Sequence, residues 1–313
     1  MFKSALGMTD GMPMRSDAHL EKVLAEFNDK VSLLEGSDEP ELLLEAYVNR
    51  GRVLSMMESW VSAVSDFDSA VDLMEEMESR GMRVDAGTHV RAFTGRGEIL
   101  GGADMVSDYA AASRRLGELD GDSRHYSRKS IVGMCSDCAE DLLDEGRPED
   151  AAVFAEKALS LASGGTDRWS RNREAESLGL LAQSLRDRGE EDAAAERLSE
   201  LIDLGTELAS EEELDDPMVL VYALIARGDL ELERGLTDMH LADHGAAVSL
   251  LDDMHRVRRL DDPELLVGLH QDLAKTYFSL RRVEDAERHL LRVMELGVGG
   301  ARDYLDAHAG RKG

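Results

Sequence analysis

Apolar residues recur every three or four positions through most of the chain, in stretches separated by short breaks rich in Gly, Asp and Pro. That period belongs to amphipathic α-helices in series, and little of the chain alternates as a strand would. The stretch "DAHLEKVLAEFNDKVSLLEG" carries Leu20, Val23, Leu24, Phe27, Val31 and Leu34 at helical spacing, with Asp17 as a candidate cap. It predicts a helix that covers the open face of whatever follows. A different pattern marks "DLLDEGRPEDAAVFAEKALSLA", where Ala151, Ala155 and Ala158 follow a Gly-Arg-Pro turn at positions an ordinary core would give to leucine. Small residues there predict a helix whose axis comes unusually close to its neighbours.

The same succession of small and large positions returns along the sequence. Residues 44–74 set Tyr47, Gly51, Leu54, Trp60, Ala63, Phe67 and Ala70 in one frame. This frame resembles the tetratricopeptide repeat (TPR), in which two antiparallel helices cross at small residues, here Gly51 and Ala63, and larger ones fill the gaps between neighbouring pairs. Leu178, Ala182, Leu185, Gly189, Ala194, Leu198 and Leu201 repeat it, as do Leu273, Ala274, Tyr277, Val283, Ala286, Leu290 and Val293. In residues 132–162 Ala139 and Ala151 form the close-contact pair, with Gly146 as the turn. The second unit departs from the frame: Phe93, Gly97 and Leu100 fit, but Tyr109 and Ala112 arrive about one helical turn early, which predicts a shortened or distorted hairpin. In the fifth, "YALIARGDLELERGL" copies the first helix, and residues Thr237 to Gly245 are expected to lengthen the turn before "AAVSLLDDMHRV" makes the second.

The resemblance implies an all-α fold, an alpha-alpha superhelix in the form of a right-handed TPR-like solenoid of about six antiparallel helix hairpins plus an N-terminal helix. The expected organisation is a tail over 1–17 and a single repeat domain over 18–300. Its units start near 44, 90, 132, 175, 221 and 267, and a tail or short helix containing Tyr304 and Leu305 follows over 301–313. These starts lie 42–46 residues apart, against about 34 in strict tandem TPR arrays and within the range of HEAT and armadillo repeats, which stay open as alternatives.

Charge narrows the choice of partner. The formal net charge is −29, from 65 acidic and 36 basic side chains, and aromatics make up 4%. A field of that sign repels nucleic acid and anionic membrane, and suits a basic partner or simply a soluble surface. The start of the chain lacks the apolar run of a secretory signal, and no stretch reaches the roughly 20 apolar residues that span a bilayer. A cytoplasmic location is expected.

Candidate chemistry is sparse. Cys135 and Cys138 have C-x-x-C spacing, yet no strand precedes them and no second pair completes a zinc site, so they are expected to be small core residues. His240 and His244 have the i, i+4 spacing that can hold a transition metal on a helix, with Asp243 or the distant His255 as a third ligand. They fall in the expected polar loop and lack H-E-x-x-H, so neither metal nor cofactor is expected. "TGRGEILGG" follows a helix rather than a strand and lacks a phosphate-binding lysine, and no Ser-His-Asp set stands out. The sequence predicts no enzymatic activity.

In TPR proteins the first helix of each pair lines a concave groove that holds the ligand. Carried over to this chain, the candidate partner-binding residues are Glu45, Arg52, Glu98, Glu140, Asp144, Glu176, Gln183, Asp187, Tyr222, Asp229, Glu233, Gln271 and Lys275. The same positions include Val48, Thr94 and Ser136. The lining leans acidic, and the lysine and asparagine clamp that chaperone-docking members use for a C-terminal carboxylate is absent. The expectation is therefore a non-catalytic scaffold or adaptor that holds a partner protein or extended basic peptide segment. The alternative is a ligand-gated regulatory or peptide-sensor module acting through a separate effector chain, and a third reading is a metal-dependent enzyme built around His240.

Overall fold

The computed structural model describes residues 17–120, 127–260 and 263–297. The expected N-terminal tail up to residue 16 and the short helix at Tyr304 and Leu305 lie outside the described residues. Within them the protein is all-α. Thirteen α-helices follow one another: α1 (Asp17–Leu34), α2 (Pro40–Met56), α3 (Trp60–Ser79), α4 (Ala86–Leu100), α5 (Gly102–Ser113), α6 (Arg128–Asp144), α7 (Pro148–Ala162), α8 (Arg168–Asp187), α9 (Glu191–Ser210), α10 (Pro217–Glu233), α11 (Thr237–Arg256), α12 (Glu264–Ser279) and α13 (Val283–Glu295). By contact the chain forms two compact units, one of residues up to Thr166 with Gln183–Arg188, the other of Asp167–Ala182 with the chain from Gly189 onward.

In the first unit α2 pairs with α3, α4 with α5 and α6 with α7, while α1 packs on α2 and α3 on α4. Val31 and Leu34 of α1 are buried against Ala46, so this helix covers apolar surface that the first hairpin would otherwise expose. The second unit pairs α10 with α11 and α12 with α13, with α9 against α10 and α11 against α12. Sequentially adjacent helices joined by short turns make each pair an antiparallel hairpin.

Three of these hairpins are fastened in one way. Arg50 donates from Nε and Nη2 to the two carboxylate oxygens of Asp66 at 2.7 and 2.6 Å. Arg96 grips Asp108 in the same fashion at 2.9 and 2.7 Å, and Arg227 grips Asp243 at 2.8 and 2.8 Å. Each arginine directly precedes a glycine, and each aspartate directly precedes a ring. That ring lies flush on the glycine, because a Cβ on Gly51, Gly97 or Gly228 would come within 3.1, 2.9 or 2.6 Å of Phe67, Tyr109 or His244 respectively. The bidentate bonds fix the rotation of one helix on the other, and the missing side chain sets how closely they approach. Arginine and aspartate are 16, 12 and 16 residues apart in the three hairpins. The α4–α5 hairpin thus has four fewer residues between the pair, because α4 ends at Leu100 and the single residue Gly101 makes the turn, and α5 has only 12 residues.

The turns also recur. After α6 the Gly146 and Arg147 amides bond back to Leu143 and Leu142, and after α10 the Gly235 and Leu236 amides bond back to Leu232 and Glu231. Gly146 and Gly235 have φ of 67° and 77°, left-handed values that cost glycine nothing and close the helix in a Schellman motif. Pro148 then sits in the first turn of α7, where its missing amide hydrogen is not needed.

The structure corrects one local expectation. Residues Thr237 to Gly245 are not a lengthened turn: α11 begins at Thr237 and runs unbroken to Arg256. A polar sequence of modest helix propensity is held helical because Leu241, Ala247, Val248 and Leu251 are buried along one face of it.

Ala139, Ala151, Ala155 and Ala158 have no solvent exposure, in keeping with a close α6–α7 crossing. Ala151→Leu is expected to destabilise the protein by about 1–3 kcal/mol through overpacking, with a matching fall in the urea midpoint. A neutral result would mean that the crossing has slack.

Candidate functional site

The first unit carries Glu45 and Arg52 on α2, Glu98 on α4, Glu140 and Asp144 on α6, and Gln183 and Asp187 at the end of α8. Arg52, Glu98 and Asp144 are exposed, and Glu45 and Glu140 are half-buried. Successive first helices bring part of this set together. The Glu98 carboxyl is crowded enough to lose solvation, although the residue as a whole is exposed. Burial first, and then the nearby Asp141 charge, raise its pKa, while Arg52 opposes the rise. Three helices, α2, α4 and α6, therefore contribute charge to one neighbourhood. Asp141 is held there by the buried Tyr109, whose hydroxyl donates to its carboxylate at 2.8 Å. Gln183 donates to Asp187 at 2.7 Å, a bond along one helix face.

Val48, Thr94 and Ser136, which the TPR frame also turns toward the groove, are all buried. Helices in this chain are long relative to the strict repeat, and a change in crossing rotates which positions face outward. Asp141, on the other hand, takes part in the charged neighbourhood and was not among the expected residues. Its position one residue after Glu140 gives no sequence signal of its own among so many carboxylates.

In the second unit Glu176 lies on the α8 segment and pairs with Arg173 at 2.5 Å. Tyr222, Asp229 and Glu233 lie on α10, and Gln271 and Lys275 on α12. Tyr222 leaves 47% of its surface exposed, and Lys275 donates to Asp272 at 2.7 Å. Asp229 is half-buried, with its Oδ1 3.1 Å from His244 Nε2. His240 and His244 are both buried on α11, their ring centroids 4.1 Å apart. Burial, and then the neighbouring His244, hold the His240 pKa below its ordinary value. The bond to the Gly228 carbonyl and the charges of Asp229 and Asp272 act in the other direction. Carboxylates of α10 and α12 thus bear on an imidazole of α11, and the two histidines singled out by their spacing lie on a helix and not in the expected loop.

Cys135 and Cys138 are buried and unpaired. Burial pushes the Cys135 thiol up to about 12 and that of Cys138 well above its usual range, so both are thiols at neutral pH and lack the thiolate that redox exchange needs. No described helix is long and apolar enough to cross a membrane.

No family model and no curated protein matches the sequence. Among solved structures the chain is similar to BtubC (BKLC) from P. vanneervenii, at 17% identity and a TM-score of 0.48, over 92% of this chain and 93% of that one. It is similar to aspartyl phosphate phosphatase F from Bacillus subtilis, at 10% identity and a TM-score of 0.49, over 91% and 76% of the two chains. It is also similar to a tetratricopeptide repeat protein from Parabacteroides merdae, at 11% identity and a TM-score of 0.39, over 92% of each. Its structural likeness is to TPR and TPR-like helical repeat proteins.

Proposed function

We propose that the protein is a non-catalytic interaction module that binds an extended, basic segment of another protein along the α2, α4 and α6 face of its first unit. The observation that carries this reading is the packing of α4 against α2 and α6, which brings Glu98 and Asp141 within each other's electrostatic reach together with Arg52. Two carboxylates held close in a partly desolvated place repel each other, and a ligand lysine or arginine set between them relieves that repulsion more than it would on an open surface. The half-buried Glu140 and exposed Asp144 extend the acidic face along α6, and the overall charge of −29 favours encounter with a basic chain.

Fluorescence anisotropy with extended Lys- and Arg-rich peptides, against neutral and acidic peptides of equal length, tests the proposal. Basic peptides should bind, weaken as salt rises, and bind several-fold less tightly to the Glu98→Gln/Asp144→Asn variant. Equal binding of neutral and basic peptides, or an unchanged affinity in that variant, would refute it. Asp141 is left intact because its carboxylate accepts from the hydroxyl of the buried Tyr109.

A further inference from the structure

We infer that His240 and His244 of α11 together with Asp229 of α10 form a binding site for a single late first-row divalent metal ion, zinc foremost. One donor atom from each of the three residues can be chosen so that all lie within 4.8 Å of one another. The residue types are those that bind zinc at about 2.0–2.2 Å, and three protein ligands leave a fourth position for water or a ligand group. Donors up to 4.8 Å apart must draw in by roughly an ångström to reach such a geometry. Asp229 is the half-exposed member of the three and gives the ion a way in from solvent.

The state of the two rings supports the site. His240 and His244 are 2% and 3% exposed, and neither His240 Nε2 nor either nitrogen of His244 has a hydrogen-bond partner. His244 Nε2 is at ion-pair distance from Asp229, 3.1 Å, without the direction of a hydrogen bond. Buried polar atoms are nearly always satisfied, and three such nitrogens within two adjacent rings call for an explanation. His240 Nδ1 lies 3.0 Å from the Gly228 carbonyl. A carbonyl only accepts, so Nδ1 carries the hydrogen and Nε2 presents its lone pair, the arrangement by which a backbone carbonyl orients a metal-binding imidazole. Gly228 also sets the second ring: a Cβ there would come 2.6 Å from His244 Cδ2, so His244 occupies space that only a glycine leaves open.

The surrounding charges suit a cation. Asp243, the third ligand that sequence spacing suggests, is engaged by Nε and Nη2 of the Arg227 guanidinium, and His255 is not part of the cluster. Asp229 takes that place from the facing helix. Asp272 of α12 bears on His240 as a further negative charge and is itself bonded by Lys275. Imidazole with a single carboxylate favours zinc, copper or nickel over magnesium or calcium, which prefer sites made wholly of oxygen. Bound there, the ion bridges α10 and α11.

The test uses the full chain without a histidine tag, freed of metal with a chelator, in buffer containing excess Mg2+ to occupy the acidic surface. Calorimetric titration with Zn2+ should show one equivalent bound and a rise in Tm. Co2+ should give the intense visible bands of four-coordinate cobalt, and Asp229→Asn and His240→Gln should each weaken Zn2+ binding by about tenfold or more. Asp229→Asn alters a half-exposed side chain, so its effect on the metal stands even if the buried His240→Gln variant folds poorly. Absence of a one-equivalent event, its loss in Mg2+, an octahedral cobalt spectrum, or unchanged affinity in Asp229→Asn would each overturn the inference. No peptide is present in any of these measurements, so their outcome is separate from that of the peptide-binding test.

Discussion

Arg50→Met is expected to lower stability by about 3–5 kcal/mol, because it strands a buried carboxylate. The Asp66 side chain is only 7% exposed and faces the two guanidinium nitrogens at 2.7 and 2.6 Å. Removing the arginine leaves that charge desolvated with nothing to offset it. Removing the aspartate is milder, since the Arg50 side chain is 20% exposed, reaches Asn28 at 3.3 Å and lies over the Tyr47 ring. Asp66→Ala should therefore cost less than Arg50→Met. The double variant Arg50→Met/Asp66→Leu should recover most of the loss, because an apolar pair needs no solvation. Urea midpoints of the four proteins decide the matter, and a double variant no better than Arg50→Met alone would show that the charges are not what holds α2 on α3.

Phe67→Ala should cost a comparable amount, about 3–5 kcal/mol, through the cavity left by a fully buried ring. Phe67 does more than fill its own hairpin. Its ring atoms lie 3.1 Å from where a Cβ on Gly51 of α2 would stand and 2.6 Å from one on Gly95 of α4, so the side chain is wedged between two first helices. That geometry predicts a reversal of sign. Gly95→Ala alone should destabilise, since its methyl meets the ring. In the Phe67→Ala background the same change should stabilise, by refilling part of the cavity and removing a glycine from a helix interior, worth roughly 0.5–1 kcal/mol. Denaturation of the four combinations gives the coupling directly, and additive effects would mean that the two residues are not in contact.

The hairpins were legible because their close crossings need residues of a particular size at particular intervals. Gly51 with Ala63, and Ala139 with Ala151, announce themselves for that reason, and Ala63, Ala139 and Ala151 have no exposure at all. The pairing of Arg50 with Asp66 was hidden by numbers: with 36 basic and 65 acidic side chains in the chain, any ion pair is one among very many. Its threefold association with glycine and a ring was present in the sequence but needed geometry to give it meaning. His240 and His244 stand out by their spacing, yet the sequence argues against a site there for a different reason. Their segment has the polarity of a loop, and only packing against neighbouring helices holds it in α11, a tertiary effect that local propensity does not contain. Of the expected binding face, Arg52 and Glu98 come together with the unforeseen Asp141. Val48, Thr94 and Ser136 turn inward instead, because orientation about a helix axis depends on crossing geometry that spacing alone does not supply.

Because the arginine, glycine, aspartate and ring act only at the crossing, they leave the far end of the hairpin unconstrained, and the α4–α5 pair is four residues shorter there with its grip intact. A hairpin tip can therefore change length while the helices keep their mutual seating, as the short α4–α5 pair does in this chain. The same four residues, grafted into a designed helical pair, should dictate the crossing while leaving the linker open to choice.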